Sequence, residues 1–220
     1  MRKSYLYKRL LLDLIYPNRC PFCDGYIPFD EYYCTECRER LSPPPEHDDF
    51  AEIDDFSAVT KYDSCSIPFI DKMKKENNGY ALSAAAFMIF QSLSSAKLLG
   101  SIDIISYIPM RRRDKLRRGY NQTAIIAHEL SSLTEKSCMP LLKKTRDTSQ
   151  QKTLGAKERR INVKDAFAFK SDLNINGKTV LIIDDVCTTG STLSEAASKL
   201  KAAGAAGVIA AVFAKTGKIS

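Results

Sequence analysis

The sequence predicts an α/β fold, in which a parallel β-sheet flanked by helices follows a small N-terminal metal-binding knuckle. Three observations lead to this prediction. From Phe56 onward, apolar strand-like segments alternate with helical ones. Near the N-terminus, four of the seven cysteines form two C-x-x-C pairs. A length of 220 residues, 44% of them apolar and 27% charged, suits one globular α/β domain with a small appendage.

The first residues are basic and then apolar, which imitates a signal peptide. Asp13 interrupts the apolar part and no small-residue cleavage site follows it, so we expect no secretion signal. Tyr5–Tyr16 is predicted to form a short amphipathic helix. No apolar run reaches the roughly 20 residues needed to span a bilayer, so we expect a cytoplasmic protein that does not cross a membrane.

The paired cysteines, Cys20 with Cys23 and Cys34 with Cys37, have the spacing of a tetrahedral zinc site. Each pair makes a tight turn that aims two thiolates at one point. Two disulfides would require an oxidising compartment, and a thioredoxin-like pair would open a helix after a strand. An iron–sulfur cluster is a further alternative. Four thiolates leave no position for water, so the predicted zinc is structural.

Consecutive prolines after the knuckle mark a domain boundary. Residues 42–45, with the sequence SPPP, cannot continue a helix and stiffen the chain. An acidic stretch, Glu46–Asp55, completes the linker. The predicted organisation is an N-terminal helix with a four-cysteine knuckle at 1–45, a linker at 46–55 and a main domain at 56–220.

The main domain is predicted to alternate strands with helices, which implies a parallel sheet with right-handed crossovers. The predicted strands are Phe56–Tyr62, Ile102–Ile108, Leu141–Lys144, Thr179–Ile183 and Gly207–Ala214. The predicted helices are Ile67–Lys75, Tyr80–Leu99, Tyr120–Leu133 and Leu193–Ala203. Ligands of such sheets bind beyond the carboxyl ends of the strands, which singles out the loops after Ile108 and Ile183.

The loop after Ile183 has the properties of a phosphate cradle. Backbone N–H groups at a helix N-terminus attract anions, and Gly190 lets the backbone approach closely. The preceding acids, Asp184 and Asp185, would repel phosphate, so we expect them to accept hydrogen bonds from sugar hydroxyls or to hold a hydrated Mg²⁺. A sugar diol beside a phosphate indicates ribose 5-phosphate. The predicted phosphate-binding residues are Thr188, Thr189, Gly190, Ser191 and Thr192.

The formal net charge of +7 favours an anionic partner. Nucleic acid and a small phosphorylated ligand both satisfy this condition, and charge alone does not choose between them. A solvated basic surface without a specific partner is the plain alternative.

The segment Val180–Thr192, VLIIDDVCTTGST, resembles the signature of type I phosphoribosyltransferases that binds 5-phosphoribosyl-1-pyrophosphate (PRPP). The chain as a whole resembles the ComF family, named for competence for DNA uptake. The other matching segments are Cys20–Cys37, Ile108-Pro109, Arg117–Gln122, Arg146 with Gln151, and Arg159–Val163 with Ala166-Phe167.

This resemblance implies a type I phosphoribosyltransferase-like fold and roles for individual residues. Asp184 and Asp185 would contact the ribose 2′ and 3′ hydroxyls, Thr188–Thr192 would hold the 5-phosphate, and Mg²⁺ would accompany PRPP. Basic residues of the loop after Ile108 and of a flexible hood at Arg146–Arg160 would contact pyrophosphate or DNA. They are Arg111, Arg113, Arg117, Arg118, Arg146, Arg159 and Arg160.

Two functions fit the resemblance. In the first, a PRPP-binding protein acts in the uptake and handling of transforming single-stranded DNA, alongside a helicase-like partner. In the second, an active phosphoribosyltransferase moves phosphoribose from PRPP onto an unknown base or other nucleophile. No base-recognition element is visible near the C-terminal end, which weakens the second hypothesis, and no catalytic residue is assigned. A zinc-ribbon nucleic-acid binder with a relic pocket is a third hypothesis.

Overall fold

The computed structural model describes residues 17–46, 50–75, 79–145, 165–170 and 172–217. The helix predicted at Tyr5–Tyr16 lies outside these residues, as do Arg146, Arg159 and Arg160 of the predicted hood. Within the described residues, no helix is long and apolar enough to cross a membrane.

Five parallel strands form the central sheet in the order β1-β7-β6-β2-β3, which confirms the predicted parallel sheet. They are β1 (Asp55–Lys61), β2 (Ile104–Tyr107), β3 (Ser137–Cys138), β6 (Thr179–Cys187) and β7 (Gly207–Lys215). A separate antiparallel pair consists of β4 (Leu142–Lys144) and β5 (Phe167–Phe169). The segment predicted as a strand at Leu141–Lys144 therefore pairs outside the central sheet.

The chain forms helices between and beside the strands, and some of them cover the two faces of the central sheet. The helices are α1 (Thr35–Glu39), which belongs to the cysteine knuckle, α2 (Ile67–Lys75), α3 (Gly79–Ser95), α4 (Arg112–Arg118), α5 (Gln122–Thr134) and α6 (Ser191–Ala202). Because successive strand residues face opposite sides, Leu181 and Ile183 pack with α2, α3 and α5, while Val180 and Ile182 pack with α6. Burial on both faces explains why β6 begins as a continuous apolar run.

The basic segment after Ile108, which we predicted as a loop, forms the short helix α4. Gly119 ends this helix in a left-handed conformation, with φ of 80°, and its N–H donates to the Lys115 carbonyl at 2.8 Å. Within the helix, the Arg117 guanidinium lies 3.3 Å from an Asp114 carboxylate oxygen. The helix thus ends in a local C-cap and carries one exposed ion pair, and it lacks an apolar face.

Strand β6 is longer than the predicted Thr179–Ile183, since β7 pairs with it as far as Cys187. Neighbouring β2 stops pairing at Tyr107, so the last residues of β6 extend past β2. Asp184 and Asp185 lie in this extension. The strand therefore continues through both acids instead of ending at Ile183, and Asp185 is only 8% exposed.

The chain order of the strands places a topological switch point between β2 and β6. From β2 the chain proceeds through α5 to β3 on one side, and from β6 through α6 to β7 on the other side. Loops that diverge in this way leave a crevice at the carboxyl ends of the two strands, which is where open α/β sheets bind ligands. Both loops singled out from the sequence border this crevice.

A crossing segment, residues 42–46 and 50–54, links the knuckle to β1. It starts at the carboxyl edge of the sheet and ends at the amino edge, where the Asp54 N–H donates to the Val208 carbonyl at 2.8 Å. The Ser42 carbonyl accepts hydrogen bonds from the Thr60 hydroxyl at 2.7 Å and the Lys61 N–H at 3.2 Å. Farther along, the Glu46 carbonyl accepts one from the buried Lys215 ammonium at 2.9 Å. The segment is thus attached to the carboxyl ends of β1 and β7.

The second half of the crossing segment packs against the phosphate loop. The ring of Phe50 lies over Gly190 so closely that a Cβ atom on Gly190 would overlap with Phe50 Cδ1. Gly190 also has φ of 72°, a conformation that other residues adopt only with strain. Both the backbone conformation and the Phe50 ring therefore require glycine at this position.

We predict that Gly190→Ala destabilises the protein more than Gly177→Ala does. Gly177 has φ of 70° but open space around its missing side chain, so its substitution isolates the backbone strain, about 1–2 kcal/mol. At Gly190 the overlap with Phe50 adds to that strain. Urea unfolding of both variants measures the difference.

Phe50→Ala provides the control, because it opens the space that the new Cβ atom needs. In the Phe50→Ala background, the loss of unfolding free energy caused by Gly190→Ala should fall to the loss that Gly177→Ala causes. Equal losses for the two single alanine variants would contradict the described packing of Phe50.

Candidate functional site

The four cysteines of the knuckle converge on one point. The Sγ atoms of Cys20, Cys23, Cys34 and Cys37 all lie within 4.8 Å of one another. Cys23 and Cys34 have their sulfurs 3.8 Å apart. A tetrahedral zinc ion with Zn–S bonds of about 2.3 Å gives sulfur–sulfur edges of about 3.8 Å, so the cluster fits the predicted metal.

The electrostatic environment of the four thiols also favours a bound cation. Burial opposes ionisation of the Cys20 thiol, but backbone N–H groups of Cys34, Cys23 and Phe22 outweigh it and lower the pKa of Cys20 to about 7. Burial and the neighbouring thiols raise the pKa of Cys37. A dication is the group that would stabilise all four thiolates together.

The knuckle is docked on α2 and α3 through aromatic and ionic contacts. Two stacked ring pairs, each with centroids 4.2 Å apart, are Phe22 on Phe69 and Tyr32 on Phe87. The Lys72 ammonium of α2 lies 2.9 Å from an Asp24 carboxylate oxygen beside the second cysteine of the knuckle. The knuckle and the main domain therefore share a continuous interface.

The acid pair of β6 is held by side chains from two helices. Asp185 Oδ2 lies 2.9 Å from the Lys74 ammonium of α2 and accepts a hydrogen bond from Gln122 Nε2 of α5 at 3.0 Å. Its other oxygen accepts from the Val186 N–H at 2.7 Å. Asp184 Oδ1 accepts from the Asp185 N–H at 2.9 Å.

These surroundings shift the pKa values of the two carboxyl groups in opposite directions. Burial and the negative charge of Asp185 raise the pKa of Asp184 well above its usual range. Burial also opposes ionisation of Asp185, but the Lys74 ammonium and the Gln122 amide overcome it and lower the pKa of Asp185. Of the two carboxyl groups, Asp185 is therefore the one that its surroundings favour as a carboxylate.

The predicted phosphate loop connects β6 to α6. Gly190 is the N-cap of α6 and supplies no side-chain cap, and the Ser191 N–H makes only a long hydrogen bond of 3.5 Å to the Thr189 hydroxyl oxygen, so this end of the helix can receive an anion. The hydroxyls of Thr189 and Ser191 lie 2.8 Å apart at this end of the helix. Both residues border a cleft of about 400 Å³ between the crossing segment and α6, whose lining does not include Asp184 or Asp185. The Thr216 hydroxyl of the chain after β7 donates to the Thr188 carbonyl at 3.2 Å.

The basic residues of the loop after Ile108 fall into two groups. Arg118 donates to Gln122 Oε1 at 3.2 Å, and thereby connects with the amide that holds Asp185. Arg113 and Arg117 are exposed on α4, and Arg111 is half-buried at its start. The structure thus ties Arg118 to the acid pair and leaves the exposed arginines on the surface of α4.

Three residues to which the sequence assigned no role contribute to this region. Lys74 and Gln122 contact Asp185, and Lys215 lies buried at the carboxyl end of β7, next to the phosphate loop. For Lys215, the available signal was a lysine that ends the otherwise apolar strand Gly207–Lys215. Lys74 gives no such signal, because a lysine on an amphipathic helix is normally exposed.

Comparisons with known protein families agree with this architecture. The family described as phosphoribosyl transferase domain matches residues 116–218, and the double zinc ribbon domain matches residues 11–48. A phosphoribosyltransferase-like domain preceded by a zinc ribbon is thus the class that the fold, the site and the two matches define.

Two relatives are similar to this chain over most of its length. Competence protein F of Haemophilus influenzae is 29% identical over 189 residues, which cover 84% of this chain and 80% of the relative. DNA utilization protein YhgH of Escherichia coli K12 is 29% identical over 193 residues, or 86% of this chain and 80% of the relative. The predicted kinship with the ComF family is confirmed, and the chain is a homologue of competence protein F.

Among solved structures, a glutamine PRPP amidotransferase from Bacillus subtilis complexed with ADP and GMP superposes on 65% of this chain and 30% of its own. The TM-score of 0.44 and the 16% identity are too low to bear on function.

We predict one tightly bound zinc ion per chain, lost in Cys34→Ser. Removing one of four thiolates weakens a site whose metal supplies much of the folding free energy of so small a segment. Without the metal, residues 17–46 should become sensitive to protease and the rings of Phe69 and Phe87 should lose their stacking partners. Elemental analysis and limited proteolysis measure both effects.

Cys65→Ser is the matched control, because Cys65 is exposed and lies outside the cluster. It should keep full zinc content. A purified chain without metal but with a protease-resistant knuckle would contradict the structural role of zinc.

Proposed function

We propose that this protein binds the phosphoribose group of PRPP at the switch point between β2 and β6 and acts in the handling of transforming single-stranded DNA. One observation carries the proposal: the acid pair Asp184-Asp185 and the phosphate loop Thr188–Thr192 follow one another at the carboxyl end of the central strand. Sugar hydroxyls and a phosphate group are the two chemistries that this arrangement can bind side by side.

The open acceptor positions favour Asp184 as the first contact of a ribose hydroxyl. Its carboxyl group is half-buried, and the hydrogen bond from the Asp185 N–H occupies one oxygen. Asp185 is already engaged by Lys74, Gln122 and the Val186 N–H, which leaves it one acceptor position for a second hydroxyl contact. The 5-phosphate would sit against the N–H groups that start α6.

Mg²⁺ would arrive bound to the pyrophosphate of PRPP, whose oxygens suit this hard cation, and would neutralise charge on that group. The protein groups that face the pyrophosphate in this proposal are basic ones. Arg118 reaches the acid pair through Gln122, and Arg111 begins α4 at the carboxyl end of β2.

A transferase activity is the second candidate, favoured by the match to the phosphoribosyl transferase domain family. In that reaction a nucleophile would bond to C1 of the ribose while the bond from C1 to the pyrophosphate oxygen breaks and pyrophosphate leaves. The site residues would hold the ribose and the 5-phosphate in place and exclude water from C1.

The DNA-handling role is supported by the names of the relatives and by the charge of the chain. Competence protein F and DNA utilization protein YhgH carry DNA-related names, and this chain has a formal net charge of +7. Exposed Arg113, Lys115 and Arg117 provide a basic surface beside the proposed ligand site. We further propose a cytoplasmic location and a helicase-like competence protein as a partner.

Asp184→Asn should weaken the binding of Mg²⁺-PRPP about 10- to 100-fold, because an NH2 donor replaces one of the two carboxyl oxygens that can accept from ribose hydroxyls. Isothermal titration calorimetry measures the affinity. Asp103→Asn is the control: Asp103 accepts from the Thr179 N–H at the opposite, amino edge of the sheet, so PRPP affinity should stay unchanged. Equal affinities in both variants would refute the assigned ribose contact.

A pyrophosphate-release assay with a panel of bases separates the two functions. Binding without release supports the DNA-handling role, whereas release with one base supports the transferase.

We predict weak, strongly salt-dependent binding of single-stranded DNA to the basic surface of α4. Each phosphate contact on a single strand contributes a slope of about −0.7 to the dependence of log K on log salt concentration. Arg113→Ala with Arg117→Ala should therefore flatten the slope by about 0.7 for each DNA phosphate that the variant no longer binds. Titration of labelled DNA at several salt concentrations measures it.

The charge-matched control is Lys97→Ala with Lys178→Ala, since these lysines precede β2 and β6 at the amino edge of the sheet. This control should leave the slope unchanged.

If DNA and PRPP share the α4 region, adding PRPP should displace the DNA. Tight binding that ignores salt would contradict the electrostatic account.

A further inference from the structure

Lys74 brings a positive charge to the acid pair from a part of the chain outside the matched phosphoribosyl transferase domain, which begins at residue 116. It lies in α2, which connects β1 to α3, and its ammonium is 2.9 Å from Asp185 Oδ2. Its side chain is 27% exposed, so the ammonium borders the crevice and is not sealed in the core.

The packing of α2 does not depend on Lys74. Phe69, Ile70 and Met73 anchor this helix, and their exposed fractions are 1%, 2% and 0%. Tyr120 adds a hydrogen bond from its hydroxyl to the Met73 carbonyl at 2.9 Å. A change at Lys74 should therefore leave the helix in place and alter the ligand site.

The contacts of Asp185 leave one acceptor position for a ligand hydroxyl. A carboxylate has about four acceptor positions. Lys74 and Gln122 occupy two of them at Oδ2, and the Val186 N–H occupies a third at Oδ1. Because both oxygens are held, the carboxylate plane is fixed, and the remaining acceptor position belongs to Oδ1.

We propose that Lys74 is a positioning residue of the phosphoribose site, which orients Asp185 and balances its charge so that one acceptor position faces the ligand. This inference rests on the proposed function and deepens it, since it extends the site to the segment between β1 and α3. The ammonium also offsets the repulsion between two neighbouring acids and a highly anionic ligand.

The test compares Lys74→Met with Lys72→Met by calorimetric titration of the full chain with Mg²⁺-PRPP. Both substitutions remove an ammonium from the same helix, but Lys72 pairs with Asp24 of the knuckle. Lys74→Met should weaken binding about 10- to 100-fold, and Lys72→Met should leave the affinity within about 3-fold of the unaltered chain.

Two further variants distinguish positioning from general damage. Lys74→Arg should restore most of the affinity, because it retains the charge and can reach the same carboxylate. In the Asp185→Asn background, Lys74→Met should add little further loss, since its target carboxylate is absent. Should Lys74→Met not fold, as judged by circular dichroism, Lys74→Gln replaces it and carries the same expectation.

The two proposals fail in distinguishable ways. If the unaltered chain does not bind Mg²⁺-PRPP, the proposed function fails and the role of Lys74 fails with it. If the unaltered chain binds and Lys74→Met binds equally well, the proposed function survives and the role of Lys74 is overturned. Equal losses in the Lys74→Met, Lys74→Arg and Lys72→Met variants would also overturn it, because they would indicate damage to α2.

Discussion

The structure around the end of β6 depends on one constraint. Two carboxyl groups on consecutive residues lie where β6 extends past β2, and neighbouring groups must stabilise them there. Asp184 and Asp185 repel each other, and water cannot fully solvate them there. The Lys74 ammonium of α2 and the Gln122 amide of α5 both contact Asp185 and stabilise its carboxylate. The cost of burying a charge is thereby offset at Asp185, while burial and the neighbouring charge raise the pKa of Asp184.

This arrangement makes α2 a central element of the molecule. One part of its surface, with Phe69 and Lys72, contacts the cysteine knuckle, and Lys74 contacts the acid pair. The crossing segment adds a second connection, because Phe50 packs on Gly190 of the phosphate loop. The knuckle and the candidate ligand site are therefore joined through two routes, and the zinc ribbon is more than an appendage to the fold.

The sequence was sufficient for the parallel sheet, most element positions and the cysteine cluster, because these depend on local periodicity and spacing. It was insufficient where distant segments decide the outcome. The end of β6 was misjudged since pairing with β7 carries the strand through two acids that local preference places in a loop. Lys74 was missed because its partner, Asp185, is far away in the chain, and no local pattern reports such a contact.

The central claim is that phosphoribose occupies the crevice between β2 and β6, with its phosphate on the start of α6. Two-dimensional ¹H–¹⁵N NMR of the zinc-loaded chain, with Mg²⁺-PRPP added stepwise, tests it most directly. The account predicts the largest amide shifts at Asp185 and from Thr188 to Thr192, with smaller changes at Gln122. Shifts confined to the knuckle, or no shift of the phosphate-loop amides at saturating ligand, would contradict it.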